Sequence, residues 1–421
     1  MELKKKVSPY LYTASIILIF VYPLRHICRG VDVWDGGYNY ANAFYCDLNS
    51  MDSMWYFATW IANKVGSLFA GLPGGETMLG MNIYTGILIG GIGVLAYVFC
   101  TRQMKMPAWL AFAGELVALS LCWVPSSALY NYLTYALLLV GVVFLYRGLV
   151  MESPLNLLLA GIALGCNVGV RFSNLVQASL ILVVWYYGFL KKKKLRDVAR
   201  QTGWCMLGYC AAYGLFLGLI SVRYGIGTYT EAIMQLFAMT DTATDYSAWS
   251  MLEGMIGAYI APESTYWLKR IGLVGICTVI ICVAFPKKWI RLKQILTVML
   301  LTGLGWYLLK NGYCTLNYKN YDSVYNHCVV FFLMIIVLSI YNMCNSGTKH
   351  EERIQALLVM LLICLSSLGG NNAMYSSMNN LFLVLPCAIY MVYRFVKDNA
   401  RIGCFPFQTF SVAAVFLLVI Q

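Results

Sequence analysis

The stretch that decides the fold is Val31-Asp32-Val33-Trp34-Asp35-Gly36-Gly37-Tyr38-Asn39-Tyr40, read together with the apolar run directly before it. That run extends from about residue 10 to residue 27, which is long enough for a membrane-spanning helix. It follows Lys4, Lys5 and Lys6, and basic residues before a span favour a cytoplasmic N-terminus. The stretch therefore begins where a first membrane helix reaches the outer surface, and it places two carboxylates and two glycines there.

The composition excludes an ordinary soluble protein. The chain has 421 residues, of which 60% are hydrophobic and only 11% are charged, whereas soluble domains carry roughly 25% charged residues. The mean hydropathy is +0.69. The sequence lacks the alternating segments of an outer-membrane barrel. We therefore predict an all-α polytopic membrane protein.

The net charge of +12 does not indicate a nucleic-acid partner. Most of the basic residues lie in short loops between apolar runs, where membrane topology explains them. The largest group is Lys191–Lys194, followed by Arg196 and Arg200. This distribution predicts a multi-pass protein of the plasma membrane with its N-terminus inside, surrounded by membrane lipids.

Apolar runs along the chain predict about thirteen membrane-spanning helices in a single domain of residues 1–421. Two long outer loops interrupt them, at about residues 29–78 and 223–268. Amphipathic segments within these loops, at 54–69, 229–239 and 249–259, predict helices in the membrane interface. The thirteenth run starts near Phe407 and has about 14 residues, where about 20 are needed. We expect either a truncated sequence or a chain that ends inside a helix.

Asp32 and Asp35 are the first candidates for chemistry, because a carboxylate at a shielded membrane boundary can act as a general base toward a hydroxyl group. Gly36 and Gly37 let the backbone turn sharply and let a ligand approach. The alternative is that both aspartates are solvated loop residues or cap the next helix. The sequence leaves the two alternatives open.

A guanidinium group at the outer end of a helix bundle can bind phosphate, and Arg171 occupies such a position. The alternative for Arg171 is contact with lipid headgroups. Amide, phenol and imidazole groups in the outer segments are candidates for hydrogen bonds to sugar hydroxyls or phosphate, although such residues are also ordinary in loops. The substrate-binding candidates are Tyr38, Asn39, Arg171, Asn174, Arg270, His327, Asn371 and Asn372.

Two further features stand apart from these candidates. Glu115 falls inside an apolar run, where an ionisable residue is costly and is therefore a functional candidate, or else a partner for another buried polar group. The 15 cysteines lie mostly within apolar runs and show no paired metal-binding spacing. We interpret them as small buried hydrophobic residues.

The order of these features resembles the GT-C-type membrane glycosyltransferases, the superfamily of the protein O-mannosyltransferases and of the aminoarabinose transferases of lipid A. The resemblance rests on the inner N-terminus, the first span, and the long outer loop that opens with an acidic motif. Asp35-Gly-Gly-Tyr-Asn39, the aromatic segment after it, and Leu72-Pro-Gly-Gly-Glu76 are similar to bacterial members of this superfamily. Many members carry an outer C-terminal domain, and we expect that such a domain is missing from the given chain.

The resemblance implies transfer of a monosaccharide from a polyprenyl-phosphate carrier to an acceptor on the outer face, which is a glycan, a lipid or a protein. It assigns the catalytic base to Asp35 first and Asp32 second, and lipid-phosphate binding to Arg171 and Arg270. Some members use a divalent metal, but this sequence indicates no metal site and we expect no cofactor.

Two other functions stay open. One is a polysaccharide polymerase or ligase that uses lipid-linked glycans, although such proteins rely on arginine-rich outer loops and these loops hold more acids than bases. The other is a lipid-linked sugar flippase or transporter, which would need internal repeats and polar residues at the membrane centre. Neither feature is evident in the sequence.

Overall fold

The computed structural model describes residues 9–28, 35–122, 124, 129–242, 248–286, 289–311, 321–368 and 373–398. Within these ranges the chain is helical and contains no strand, so the all-α class is confirmed. The helices up to residue 224 are α1 (Pro9–Val21), α2 (Asp35–Phe44), α3 (Ser53–Ala58), α4 (Trp60–Ala70), α5 (Met78–Val98), α6 (Ala108–Leu121), α7 (Leu129–Val150), α8 (Pro154–Val170), α9 (Ile181–Leu190) and α10 (Leu195–Tyr224).

The second part of the chain continues as α11 (Ile226–Thr242), α12 (Ala248–Ile260), α13 (Pro262–Ala284), α14 (Ile290–Lys310), α15 (Tyr321–Cys344), α16 (His350–Ser367) and α17 (Val384–Asp398). Shorter 3₁₀ segments occur at Tyr22–His26, Phe172–Leu180 and Ala373–Asn380, and a π-helical turn follows α5 at Phe99–Gln103. Helices α2–α4 form a cap at one end of the bundle, where Gly66 lies beside Leu129 at the start of α7 and Ile61 lies beside Gly169 near the end of α8.

Four helical stretches of the described chain are long and apolar enough to cross a membrane: Met78–Gln103, Leu129–Val150, Phe172–Leu190 and Leu195–Tyr224. A fifth joins Met374–Asn380 to Val384–Phe395, which meet at 94°. Several apolar helices could therefore span a membrane, which supports a membrane protein. The prediction of about thirteen spans is not confirmed by this criterion.

Glycines allow α8 and α10 to pack with their backbones in contact. Gly161 and Gly165 lie four residues apart on α8, and a methyl group on either would overlap a backbone carbonyl oxygen of α10, that of Cys205 or that of Tyr209. Gly208 of α10 lies equally close to the Leu158 carbonyl group. Such small-residue faces are typical of membrane helix pairs, because close approach maximises van der Waals contact.

The cap formed by α2–α4 corrects one detail of the sequence prediction. Residues 54–69 were expected to form one amphipathic helix in the membrane interface, but the helix breaks at Thr59, which has φ −130° and ψ 32°. Asp52 caps the first piece by accepting a hydrogen bond from the Met54 amide at 2.9 Å. The break lets α3 pack against α11 while α4 packs against α2. Tyr56 and Phe57 are buried as a result.

The second long loop forms α11 and α12, where the sequence predicted amphipathic segments. Trp249, Leu252, Ile256 and Ile260 leave an apolar stripe on α12 exposed. Their spacing of three and four residues places them on one face of the helix. An exposed apolar face of this kind suits the membrane interface.

The end of the bundle opposite the cap carries ion pairs. Lys193 binds Glu152 at 2.8 Å, and Arg394 binds Glu352 at 2.7 Å. The Lys193 ammonium group, through its hydrogen bond and its charge, lowers the pKa of the Glu152 carboxyl group. Lys191 lies 3.9 Å from Glu351, so the basic stretch Lys191–Lys194 lies at this end together with carboxylates that partly neutralise it.

The contact between α8 and α10 yields a stability prediction. Gly161→Ala should destabilise the protein by about 1–3 kcal/mol, because overpacking forces two backbones apart. Gly214→Ala is the matched control on α10, since no heavy atom lies within 4 Å of an added methyl group there. Thermal unfolding of both variants in detergent checks this. Equal unfolding temperatures for the two variants would contradict the packing described here.

Candidate functional site

The first candidate residue, Asp35, begins helix α2 at the capped end of the bundle. A carboxylate in the first turn of a helix is stabilised by the helix dipole, so the capping alternative is compatible with this position. The side chain of Asp35, and all of Asp32, lie outside the described residues. The structure therefore locates the backbone of Asp35 and leaves its role as a prediction.

Tyr38 and Asn39 follow Asp35 on the first turns of α2. The Tyr38 ring meets the edge of Trp55 at 6.4 Å between centroids and is 45% exposed. Burial, together with the nearby Asp52 charge, raises the pKa of the Tyr38 phenol against the opposing effect of its hydrogen bond with Asn42. The phenol is therefore neutral at physiological pH and can donate a hydrogen bond to a ligand.

Arg171 lies at the same end of the bundle, directly after α8. Its backbone is extended, with φ −153° and ψ 123°, between α8 and the 3₁₀ segment Phe172–Leu180. Its guanidinium group lies 5.4 Å from the centroid of the Tyr130 ring. Leu129, which precedes Tyr130 in the chain, lines a crevice with Asn39 and Tyr40 of α2. These contacts connect the start of α2 to the neighbourhood of Arg171.

Asn174 belongs to a buried network of amides that supports Arg171. Its side chain donates to the Thr134 hydroxyl and to the Asn167 carbonyl group, both at 2.9 Å. Asn167 donates in turn to the Thr134 carbonyl group at 3.0 Å and to the Gln177 side chain at 2.8 Å. Asn174 is only 6% exposed. This network ties α7, α8 and the 3₁₀ segment together, and the Asn174 backbone amide donates to the Arg171 carbonyl group at 2.9 Å.

The other candidates do not join this group through any described contact. Arg270 lies 3.2 Å from the centroid of the Tyr266 ring and donates to the Tyr307 hydroxyl at 3.0 Å, between α13 and α14. His327 lies in α15, but its side chain is not described, and Asn371 and Asn372 lie outside the described residues. A role for these four residues stays a prediction.

Sequence reasoning missed a cation that the cap holds. Lys64 donates to the Cys46 carbonyl group at 3.3 Å and lies 5.3 Å from the centroid of the Tyr56 ring. Burial opposes protonation, but the contacts with Tyr56 and Cys46 outweigh it, so the pKa of Lys64 is raised. Tyr56 also shares a hydrogen bond of 2.7 Å with Tyr224 of α10. The break at Thr59 brings these groups together, and the spacing of apolar residues in the sequence does not predict this break.

One acidic residue of the same loop has a structural role. The Asp47 carboxylate accepts hydrogen bonds from the Asn49 amide at 2.6 Å and from the Ser50 amide and hydroxyl at 3.2 and 3.1 Å. These bonds, the Asn49 amide first, lower the pKa of Asp47. Asp47 therefore stabilises a turn, as an Asx side chain often does.

Within the described chain, no three His, Cys, Asp or Glu side chains form a group that could bind a metal ion. Comparisons with protein families, with characterised proteins and with solved structures find no match to this chain. The functional assignment therefore depends on the residues themselves.

The amide network gives a prediction about stability. Asn174→Ala should destabilise the protein by about 1–3 kcal/mol, because Thr134 and Asn167 lose their partner in a buried environment. Asn49→Ala is the control, since the Asn49 side chain is exposed and only its backbone amide is used in the turn. Thermal unfolding measures the difference. A loss confined to Asn49→Ala would contradict the supporting role of the network.

Proposed function

We propose that the protein transfers a monosaccharide from a polyprenyl-phosphate carrier to a hydroxyl group of an acceptor at the outer face of a membrane. The single observation that carries this proposal is the proximity of two elements at the capped end. Helix α2 begins with Asp35, and its Asn39 and Tyr40 share a crevice with Leu129, next to the Tyr130 ring that faces Arg171. An acid and a guanidinium group near one membrane boundary suit transfer from a lipid phosphate.

Asp35 is the proposed general base. It removes the proton of the acceptor hydroxyl while the oxygen attacks the anomeric carbon of the sugar. The bond between that carbon and the phosphate oxygen breaks, and its electron pair leaves with the polyprenyl phosphate. Attack opposite the leaving group inverts the configuration at the anomeric carbon. Asp32 is the second candidate for the same role.

Arg171 is the proposed ligand of the leaving phosphate. A guanidinium group matches the geometry of phosphate oxygens and stays charged at any physiological pH. The charge that develops on the leaving group is stabilised most by a cation that is already in position. The buried amides around Asn174 hold the backbone next to Arg171, which supports such positioning. Tyr38 can donate a hydrogen bond to a sugar hydroxyl, and Arg270 stays a second candidate for the phosphate.

The finer architecture belongs to the same proposal. We assign about thirteen spans, a location in the plasma membrane, and an N-terminus on the inner side, because basic residues concentrate at the end opposite the cap. The capped end then faces outward, where polyprenyl-phosphate sugars are used by GT-C-type transferases. Exposed apolar residues on α12 suit contact with the lipid carrier.

The catalytic base is tested by Asp35→Asn. We expect transfer to fall by about 100- to 10,000-fold, because the variant cannot accept the proton. The assay supplies radiolabelled polyprenyl-phosphate monosaccharides to purified protein in detergent and measures released polyprenyl phosphate. Asp47→Asn is the matched control, since Asp47 belongs to the same loop and its carboxylate stabilises only a turn. Near-normal activity of folded Asp35→Asn would refute this role.

The phosphate ligand is tested by Arg171→Gln. Loss of a charge-assisted hydrogen bond of about 1.5–3 kcal/mol predicts a decrease in activity of roughly tenfold to 100-fold. Arg223→Gln removes an exposed cation at the same end, on α10, and should leave activity nearly unchanged. Equal effects of the two substitutions would argue for a general attraction to lipid headgroups. No turnover with any donor would instead favour the polymerase or flippase function.

A further inference from the structure

A cavity opens between α15, α16 and α17, at the end of the bundle that carries the ion pairs, and we call it the end cavity. Its volume is about 250 Å³, just below the range of about 300–1,000 Å³ for pockets that hold a whole small molecule. Tyr341 and Gly347 are exposed at its mouth. A space of this size suits one polar head group, with the rest of the ligand outside.

Contacts between the helices fix the walls of the end cavity. The Tyr341 ring of α15 meets the Phe395 ring of α17 edge-on, with 5.5 Å between the centroids. In the turn after α15, the Asn345 carbonyl group accepts a hydrogen bond of 3.0 Å from the Arg353 side chain of α16. The Asn345 side-chain oxygen accepts another from the Gly347 amide at 3.0 Å. The turn is therefore held in position beside the cavity.

Polar groups that lack a protein partner line the end cavity. Gln355 is only 5% exposed, and its amide nitrogen donates to the Tyr146 hydroxyl at 3.3 Å, but its carbonyl oxygen accepts no hydrogen bond from the described chain. Thr348 is 9% exposed, and its hydroxyl group has no partner among the described residues. Asn342 donates to the Leu338 carbonyl group at 2.8 Å, which leaves its side-chain oxygen as an acceptor. Buried polar groups are usually hydrogen-bonded, so these side chains indicate a ligand that supplies donors.

The end cavity also carries charges of both signs. Arg394 donates to a Glu352 carboxylate oxygen at 2.7 Å and to the Tyr390 hydroxyl at 3.4 Å. The Glu352 side chain is 18% exposed, whereas the Arg394 side chain is 33% exposed. The carboxylate is therefore the more enclosed group, and the guanidinium group is nearer to solvent. This order suits a ligand whose cationic end enters first and whose anionic group follows.

A primary ammonium group fits the enclosed part of the cavity. It has three N–H donors and no acceptor, which matches the acceptor atoms of Asn342, Thr348 and Gln355. Glu352 supplies the opposite charge, and the Arg394 guanidinium group matches the geometry of phosphate oxygens. In phosphatidylethanolamine the ammonium group is terminal, and the phosphate group lies between it and the acyl chains. The head group of this lipid therefore has the order of charges that the end cavity presents.

An exposed apolar face of α15 begins at the mouth of the end cavity. Tyr341 is 44% exposed, and the exposed side chains before it on the same helix are Leu333, Met334, Val337 and Ile340. Their spacing places them on one face, which extends about 12 Å at 1.5 Å per residue. A lipid whose head group occupies the cavity can place an acyl chain along this face, whereas a soluble ligand cannot use it.

We propose that the end cavity binds the head group of one phosphatidylethanolamine molecule. The ammonium group contacts Glu352 and the amide oxygens, the phosphate group contacts Arg394, and an acyl chain lies along the exposed face of α15. The end cavity and the cap are at opposite ends of the bundle, so this binding does not depend on the proposed sugar transfer. Because the lipid contacts three helices at once, it should stabilise the folded protein.

The test is a titration of purified, delipidated protein in detergent, with bound lipid counted by native mass spectrometry. One phosphatidylethanolamine molecule per chain should bind at least about tenfold more tightly than phosphatidylcholine with the same acyl chains, because N-methyl groups replace the N–H donors. Lipids with one and two N-methyl groups should have intermediate affinities. Soluble glycerophosphoethanolamine should compete at least about tenfold more weakly than the lipid, because it has no acyl chain to bury.

Substitutions in the lining should remove the preference. Glu352→Gln and Thr348→Val should each weaken phosphatidylethanolamine binding by about tenfold, because each removes an acceptor for the ammonium group. Thr348→Val leaves the ion pair intact, so it tests the site separately from stability. Glu351→Gln is the matched control, since Glu351 is adjacent, lies 3.9 Å from Lys191 and does not line the cavity.

The acyl chain is tested by Val337→Asn, which should weaken binding of the lipid and leave binding of glycerophosphoethanolamine unchanged. Ile276→Asn is its control, because Ile276 is equally exposed on α13, away from the cavity lining. Thermal unfolding without added lipid verifies that all variants are folded.

Equal affinities for phosphatidylethanolamine and phosphatidylcholine would overturn the proposal. Tighter binding of phosphatidylglycerol would also overturn it, since the site would then select an anionic head group. Equal competition by glycerophosphoethanolamine and the lipid would identify a soluble ligand instead. If folded Glu352→Gln and Thr348→Val both kept the full preference, the lipid would bind elsewhere on the protein and the proposal would be wrong.

Discussion

The contact between the backbones of α8 and α10 is the constraint on which the rest of the structure depends. Gly161 and Gly165 present no side chain to α10, and Gly208 presents none to α8. Because the two helices touch along their backbones, the contact between rigid backbone atoms sets their relative position more than flexible side chains do. α7 also packs against α8, where the Leu164 side chain occupies the space that a side chain at Gly141 would need. The three helices thus form the rigid centre of the bundle.

This centre determines where the candidate site can lie. α8 ends at Val170, and the amide network of Asn167 and Asn174 fixes the extended residue between α8 and the following 3₁₀ segment. That residue is Arg171. Since α4 packs against α7 and α8 as well as α2, the first residues of α2 are held near the same place. Arg171 and the start of α2 at Asp35 are therefore held by helices that pack against one another.

The sequence predicted the helical membrane class, because so few charged residues cannot cover a soluble surface. It also located the interface segments that became α11 and α12. It did not predict the break at Thr59, because periodicity stays the same across a one-residue interruption. For the same reason it missed the contacts of Lys64.

The candidate site was predictable by residue type and only partly by position. An arginine after an apolar run predicts the end of a helix, and Arg171 is found directly after the apolar helix α8. Asn174 looked equally suitable as a ligand, yet its burial follows from tertiary packing that no local pattern encodes. The sequence left open whether Asp35 is a solvated loop residue or caps a helix, and the structure shows that helix α2 begins at this residue. Its chemical role depends on surroundings that the sequence does not specify.

The length of α10 has a consequence for the membrane around the protein. Its 30 residues extend about 45 Å, whereas the hydrocarbon core of a bilayer is about 30 Å thick. A hydrogen bond of 2.7 Å between Tyr224, the last residue of α10, and Tyr56 of α3 attaches the cap to the end of this helix. In the proposed reaction, bilayer thickness determines how far the sugar on its lipid carrier reaches toward the cap. The transfer activity should consequently depend on the acyl-chain length of the surrounding lipids, with an optimum that the length of α10 determines.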